Sequence, residues 1–300
     1  MILWVWLHLN KWTQIKWSLH PLFVMILLLS ALTGYFIELL TLFAIVIVHE
    51  LGHVIMAHAM GWRVRSVKLL PFGGVVEVEE AAGASAQEEL LVAVAGPLQN
   101  IWMIVLAYVF GELGWWSLEW TTYFIEANLW IAVFNLLPVM PLDGGKIAQA
   151  LLSYRLSYYA TLLWTARISV AISAMIIIYS LLPVILKSGG IKLNELMIGI
   201  FLLASNMTTL RNIPFLFYRF MLQRHAQLKR KVQGKKKEFP ILTPANQTLY
   251  EALKNYRRNR TNLLCIIDRL DQPFRLLPEQ EALEHCVGGE GQRAVGELLR

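Results

Sequence analysis

Charge is scarce in this chain. Of 300 residues only 16% are Asp, Glu, Lys or Arg, while 56% are hydrophobic; an ordinary soluble domain carries about 25% charged residues. The shortage argues against a wholly water-facing protein and for segments lying in a bilayer. Cysteine is scarcer. The two thiols, Cys265 and Cys286, are too few for the disulfide framework of a small secreted domain. A reducing compartment is the simpler expectation, with a single bridge left open. Met1 to Trp17 holds Trp, His and Lys and no small-residue cleavage site, so it is not expected to be a cleaved signal peptide. Histidine is also sparse, 7 in all, which gives weight to where two of them stand.

What is abundant is apolar sequence in long runs. Ile37 to Met60, Glu89 to Phe110, Tyr123 to Leu137, Ala160 to Leu186 and Leu193 to Thr209 each read as a membrane span. Pro21 to Tyr35 reads as a first, short one, so about six spans are expected. Residues 1–20 are amphipathic and rich in Trp, which suggests a strand or hairpin at headgroup level, or an interfacial helix. Trp62 to Glu80 alternates weakly and predicts two short strands turning at Pro71-Phe72-Gly73-Gly74. Lys and Arg concentrate in alternate loops and in the tail, which fits both termini in the cytoplasm.

After Arg211 the composition turns basic. Phe215 to Lys237 carries Arg219, Arg224, Lys229, Arg230, Lys231 and Lys235 to Lys237. The nearest explanation is a juxtamembrane stretch on anionic lipid, each basic residue contributing about 1 kcal/mol. Nucleic acid is not expected, because aromatic residues do not interleave beyond its membrane end. Residues 239–300 pattern as a small α/β domain: a helix over Thr248 to Arg257, strands at Leu263 to Asp268 and Phe274 to Leu277, and a helix over Pro278 to His285. Such a unit is small for a robust core, so pairing with a second copy is expected. The fold class is therefore an α-helical polytopic membrane protein with small β-hairpins and a C-terminal α/β domain. Its boundaries read as a membrane domain 1–213, a basic linker 214–238 and a cytosolic domain 239–300.

One apolar span carries His49-Glu50-Leu51-Gly52-His53. Residues four apart on a helix are offset by only about 40°, so His49 and His53 can present two imidazoles to one metal ion. Neutral imidazole suits zinc, and a catalytic zinc takes three protein ligands and keeps a fourth position for water. Glu50, beside the first ligand, is placed to act as general base. A charge in mid-membrane costs about 2.5–3.5 kcal/mol on insertion scales. Three ionisable groups in one apolar helix therefore argue for a metal rather than a buried hydrogen-bond cluster.

Asp143 is the strongest candidate for the third ligand. It follows a break bracketed by Pro138 and Pro141 and precedes Gly144-Gly145, which allow close backbone approach. The competing reading is a helix N-cap. A cap accounts for Asp143, but not for Asn135, two prolines and two glycines at membrane depth.

His-Glu-Leu-Gly-His on one span, with Asn135-Leu136-Leu137-Pro138-Val139-Met140-Pro141-Leu142-Asp143-Gly144-Gly145 after a later one, resembles the paired signature of the site-2 protease family of intramembrane zinc metalloproteases. The resemblance implies Zn2+ held by His49, His53 and Asp143, with Glu50 activating water. It implies a substrate lying along Asn135 and Pro138, with Phe72 and Gly73 in a loop that dips toward it. The interval from His53 to Asp143 leaves no room for the PDZ domain many members carry. Residues 240–285 resemble one CBS motif, which would bring ATP, although Arg275-Leu276-Leu277-Pro278 stands where that motif has a Gly-Ile step. A CBS-like tail without PDZ is the layout of the family's sporulation branch. That branch implies a membrane-associated sigma-factor precursor as substrate, membrane-protein inhibitors as regulators, and the membrane around the forespore, facing the mother cell, as location. A housekeeping site-2 protease acting on another membrane-tethered regulator is one alternative. A non-hydrolytic metal-binding protein or transporter is the other, but it would want polar residues along several spans and would leave Glu50 without a role.

Overall fold

A computed structural model of the chain describes residues 16–19, 30, 32–70, 73–79, 85–230, 238–267 and 275–298. The Pro71-Phe72 half of the expected turn, most of the first apolar run and Lys231 to Lys237 lie outside the described residues. Two compact units emerge. One comprises the described residues of Met1–Ala81 and Glu88–Leu137; the other comprises those of Ala82–Gln87 and Pro138–Arg300.

In the first unit, α1 is Phe36–Ala59, α2 is Ala86–Glu112, which belongs to it from Glu88 onward, and α3 is Leu118–Asn135. Ser117 caps α3 by accepting from the Trp120 amide at 3.3 Å, satisfying one of the amides a helix start leaves open. The alternating stretch forms strands, as expected. β1 (Lys16–Leu19) runs parallel to β2 (Arg63–Leu70), and β2 pairs antiparallel with β3 (Gly73–Glu79) from Arg63↔Glu79 to Leu70↔Gly73. Gly52 on α1 sets a close approach to α2: a Cβ there would lie 2.6 Å from the Ala95 carbonyl oxygen and from Gln99 Cγ. Only a residue without a side chain lets the two backbones pack at this distance.

The second unit holds α4 (Asp143–Ser153), α5 (Tyr158–Ile185) and α6 (Leu193–Arg230). Along α5, Thr161, Thr165, Ser169 and Ser173 form a buried row. The hydroxyls of Thr165, Ser169 and Ser173 each donate to the carbonyl four residues back, which satisfies them within their own helix. Four described helices are long and apolar enough to cross a membrane: α1, α2, α5 and α6 as far as Lys229. α3, with Glu119 and Glu126, is not among them.

Helix α6 departs from the sequence expectation. The stretch read as a linker, 214–238, is helical to Arg230 despite Pro214, and Phe217 and Met221 are buried with the C-terminal core. That core covers one face of a three-stranded sheet, β4 (Glu238–Pro244), β5 (Thr261–Ile267) and β6 (Arg275–Pro278), with β4 parallel and β6 antiparallel to β5. Helices α7 (Leu249–Leu253) and α8 (Glu279–His285) complete the unit. A chain this short buries little apolar surface alone; here the membrane-side helix supplies the missing part. Arg224, expected on lipid, instead enters this core. Its Nε donates to Glu279 Oε1 at 2.8 Å, and its terminal nitrogens donate to the carbonyls of Arg258 and Arg260. Asn262 donates its backbone N–H to Glu279 Oε2 at 2.9 Å. Arg224→Ala would leave the buried Glu279 carboxylate uncompensated, with an expected loss of about 3–5 kcal/mol. Hydrogen exchange in β5 and α8 should rise accordingly.

Candidate metal centre

His49, Gly52 and His53 share the buried face of α1 turned to α2. The rings are fixed from behind. His49 Nδ1 lies 2.5 Å from Asn100 Oδ1, and His53 Nδ1 lies 2.7 Å from the Val92 carbonyl oxygen. Both partners are acceptors, so each Nδ1 is the donating nitrogen and each Nε2 is the one that can ligate a metal. The two Nε2 atoms face each other at 3.2 Å. Two imidazole nitrogens at that separation can share one metal ion. The donor set therefore fits zinc.

The orienting groups form a chain. Asn100 Nδ2 donates to Asn128 Oδ1 at 3.2 Å, and Asn128 Nδ2 donates to the Phe124 carbonyl at 2.9 Å. Both asparagines are fully buried; in the sequence, the one mark of this chain is Asn100 standing a helical turn from Gly96-Pro97 in an apolar run. Gly96 is equally unmarked in the sequence: a Cβ there would fall 2.6 Å from His49 Nε2. Asn100→Leu removes the acceptor that sets the His49 tautomer. Zinc affinity should fall about 10–100-fold, read by chelator competition.

Glu50 is half-buried on α1, one residue past His49 and therefore about 100° around the axis from it. Asn135 is the last residue of α3, half-buried, with Nδ2 donating to the Ile131 carbonyl at 3.1 Å. Gly73 opens β3 opposite Leu70, and Phe72 lies outside the described residues.

Asp143 and Pro138 belong to the second unit, Asp143 buried and Pro138 exposed. Asp143 is the first residue of α4 and not its cap. The cap position is Leu142, which makes no side-chain cap bond. Lys146 Nζ lies 3.2 Å from Asp143 Oδ1, with half of the lysine side chain exposed. Gly145 permits the turn before it, since a Cβ would lie 2.6 Å from the Val139 carbonyl carbon.

Three comparisons bear on this geometry. The model of peptidase family M50 matches residues 37–115 and 111–178. Stage IV sporulation protein FB of Bacillus subtilis is 32% identical over 277 residues, 92% of this chain and 93% of its own length. A zinc metalloprotease of Methanocaldococcus jannaschii is 31% identical over 146 residues, 47% of this chain and 42% of its own. Among solved structures, a site-2 protease from Methanocaldococcus jannaschii shares the fold. Its TM-score is 0.51 at 24% identity, over 66% of this chain and 91% of that one.

Proposed function

The chain belongs to peptidase family M50, the site-2 proteases, and is a zinc-dependent metalloendopeptidase of the membrane; from that premise we propose that it cleaves the membrane-associated pro-sequence of a sporulation sigma factor. The observation that carries the chemistry is the pair of imidazoles whose Nδ1 atoms bond to Asn100 and Val92 and whose Nε2 atoms lie 3.2 Å apart. The observation that favours the substrate is likeness to a sporulation protein along 92% of the chain.

His49, His53 and Asp143 would hold the zinc. Bound zinc supplies Lewis acidity toward water and toward the peptide carbonyl. The remaining steps fall to this chain's own groups. Glu50 accepts the proton of the attacking water and passes it to the amide nitrogen as the C–N bond breaks. Asn135, Pro138, Phe72 and Gly73 line the path of the substrate, which must be unwound there, because a helix keeps its carbonyls bonded within itself.

The same reading takes about six spans with both termini cytoplasmic, the mother-cell face of the membrane around the forespore, and a CBS-like domain over 239–300. It takes membrane-protein inhibitors, a second copy meeting the C-terminal domain, and anionic lipid along the basic stretch, Arg224 excepted. ATP, implied by the CBS resemblance, finds no support among the described residues. Co-expression with a sigma-factor precursor, with and without its pro-sequence, tests the substrate. Cleavage confined to the form carrying the pro-sequence is expected. Cleavage of other membrane-tethered regulators, with the precursor left intact, would return the protein to a housekeeping role.

A further inference from the structure

We propose that Ser169 and Asn206 are positioning residues that fix Asp143 for zinc by holding the peptide groups of Met140. The inference rests on Asp143 being a zinc ligand. The polypeptide reaches Asp143 through Val139, Met140, Pro141 and Leu142, a stretch without helical or strand pairing of its own. The Met140 N–H donates to Ser169 Oγ on α5 at 2.9 Å. The Met140 carbonyl accepts from Asn206 Nδ2 on α6 at 2.7 Å. Both side chains are fully buried. Each is anchored in turn: Ser169 Oγ donates to the Thr165 carbonyl at 2.8 Å, and Asn206 Nδ2 also donates to the Leu202 carbonyl at 2.8 Å. On the other side the stretch closes on α4. Leu142 N–H donates to the Val139 carbonyl at 2.9 Å, and Gly145 packs where any side chain would strike Val139.

Three residues before Asp143, then, the backbone is clamped from two different helices by one donor and one acceptor. A buried N–H and C=O need partners in any fold, so the arrangement could serve stability alone. Its place argues for more. A carboxylate ligand is useful only if held within about 0.5 Å of its productive position, and a chain without regular structure supplies no such precision. Ser173 separates the two roles. It repeats the Ser169 geometry one turn further along α5, fully buried, with Oγ donating to the Ser169 carbonyl at 2.7 Å. No contact with Met140 accompanies it among the described hydrogen bonds.

The test uses the purified, zinc-loaded full-length protein in detergent. Zinc release to a chromophoric chelator and the thermal midpoint are measured for Ser169→Ala, Asn206→Leu, Ser173→Ala and Asp143→Asn. Ser169→Ala and Asn206→Leu are expected to release zinc about tenfold faster than wild type. Ser173→Ala should keep the wild-type rate, and Ser169→Thr, which retains the hydroxyl, should recover it. Where turnover is followed, the loss should fall on kcat with KM little changed. Equal release rates for Ser169→Ala and Ser173→Ala, alongside rapid release from Asp143→Asn, would overturn the clamp and leave the ligand assignment standing. Wild-type release from Asp143→Asn would instead remove the ligand assignment on which the clamp depends. Should Asn206→Leu fail to fold, the Ser169 and Ser173 pair decides alone.

Discussion

Glu50→Gln should lower peptide hydrolysis about 100- to 10,000-fold, the usual worth of a positioned general base, while zinc stays bound at the wild-type stoichiometry. The substitution keeps size and hydrogen-bonding reach but cannot accept a proton. His49 and His53 are oriented by Asn100 and the Val92 carbonyl, and Glu50 takes no part in that, so the metal set is untouched. Cleavage on a gel and zinc by atomic absorption, on the same preparation, give both halves of the result. A variant that lost zinc with activity would make Glu50 a ligand. One that kept full activity would place the base elsewhere or make the chain's metal non-hydrolytic.

Gly96→Ala should abolish stoichiometric zinc binding, an effect larger than that of removing any orienting amide. The added methyl would sit 2.5 Å from His53 Cε1 and 2.6 Å from His49 Nε2, far inside van der Waals contact and on the atoms that must face the ion. Neither ring can swing away without breaking its bond to Asn100 or to Val92. Gly190→Ala, where a Cβ meets nothing within 4 Å, is the matched control and should bind zinc normally. Metal content after dialysis against a weak chelator reads both.

The pairing of His49 with His53 and the strands at Arg63–Leu70 and Gly73–Glu79 were legible because each depends on spacing along one element: four residues on a helix, two on a strand. What sequence could not supply is what one element does to another. Asn100 and Asn128 look like stray amides in apolar helices until α1 and α3 are packed against α2, when they become the chain that sets the His49 tautomer. Gly96 looks like a tolerated small residue until the His rings occupy its missing side chain. Ser169 and Asn206 meet at Met140 from 29 and 66 residues away, a separation no local pattern encodes. The basic composition after Arg211 reads as a linker over 214–238, beyond a span ending at Thr209. The continuation of α6 to Arg230 is stabilised by tertiary contacts, the Arg224–Glu279 pair and the burial of Phe217 and Met221, which a composition shift does not reveal.

Zinc K-edge absorption on the purified protein, wild type beside Asp143→Cys, tests the ligand set most directly. The wild type should give a four-coordinate nitrogen and oxygen shell at about 2.0–2.1 Å with two imidazoles and no sulfur. Asp143→Cys should add one sulfur scatterer at about 2.3 Å. Zinc bound to the variant with an unchanged nitrogen and oxygen shell would contradict Asp143 as the third ligand.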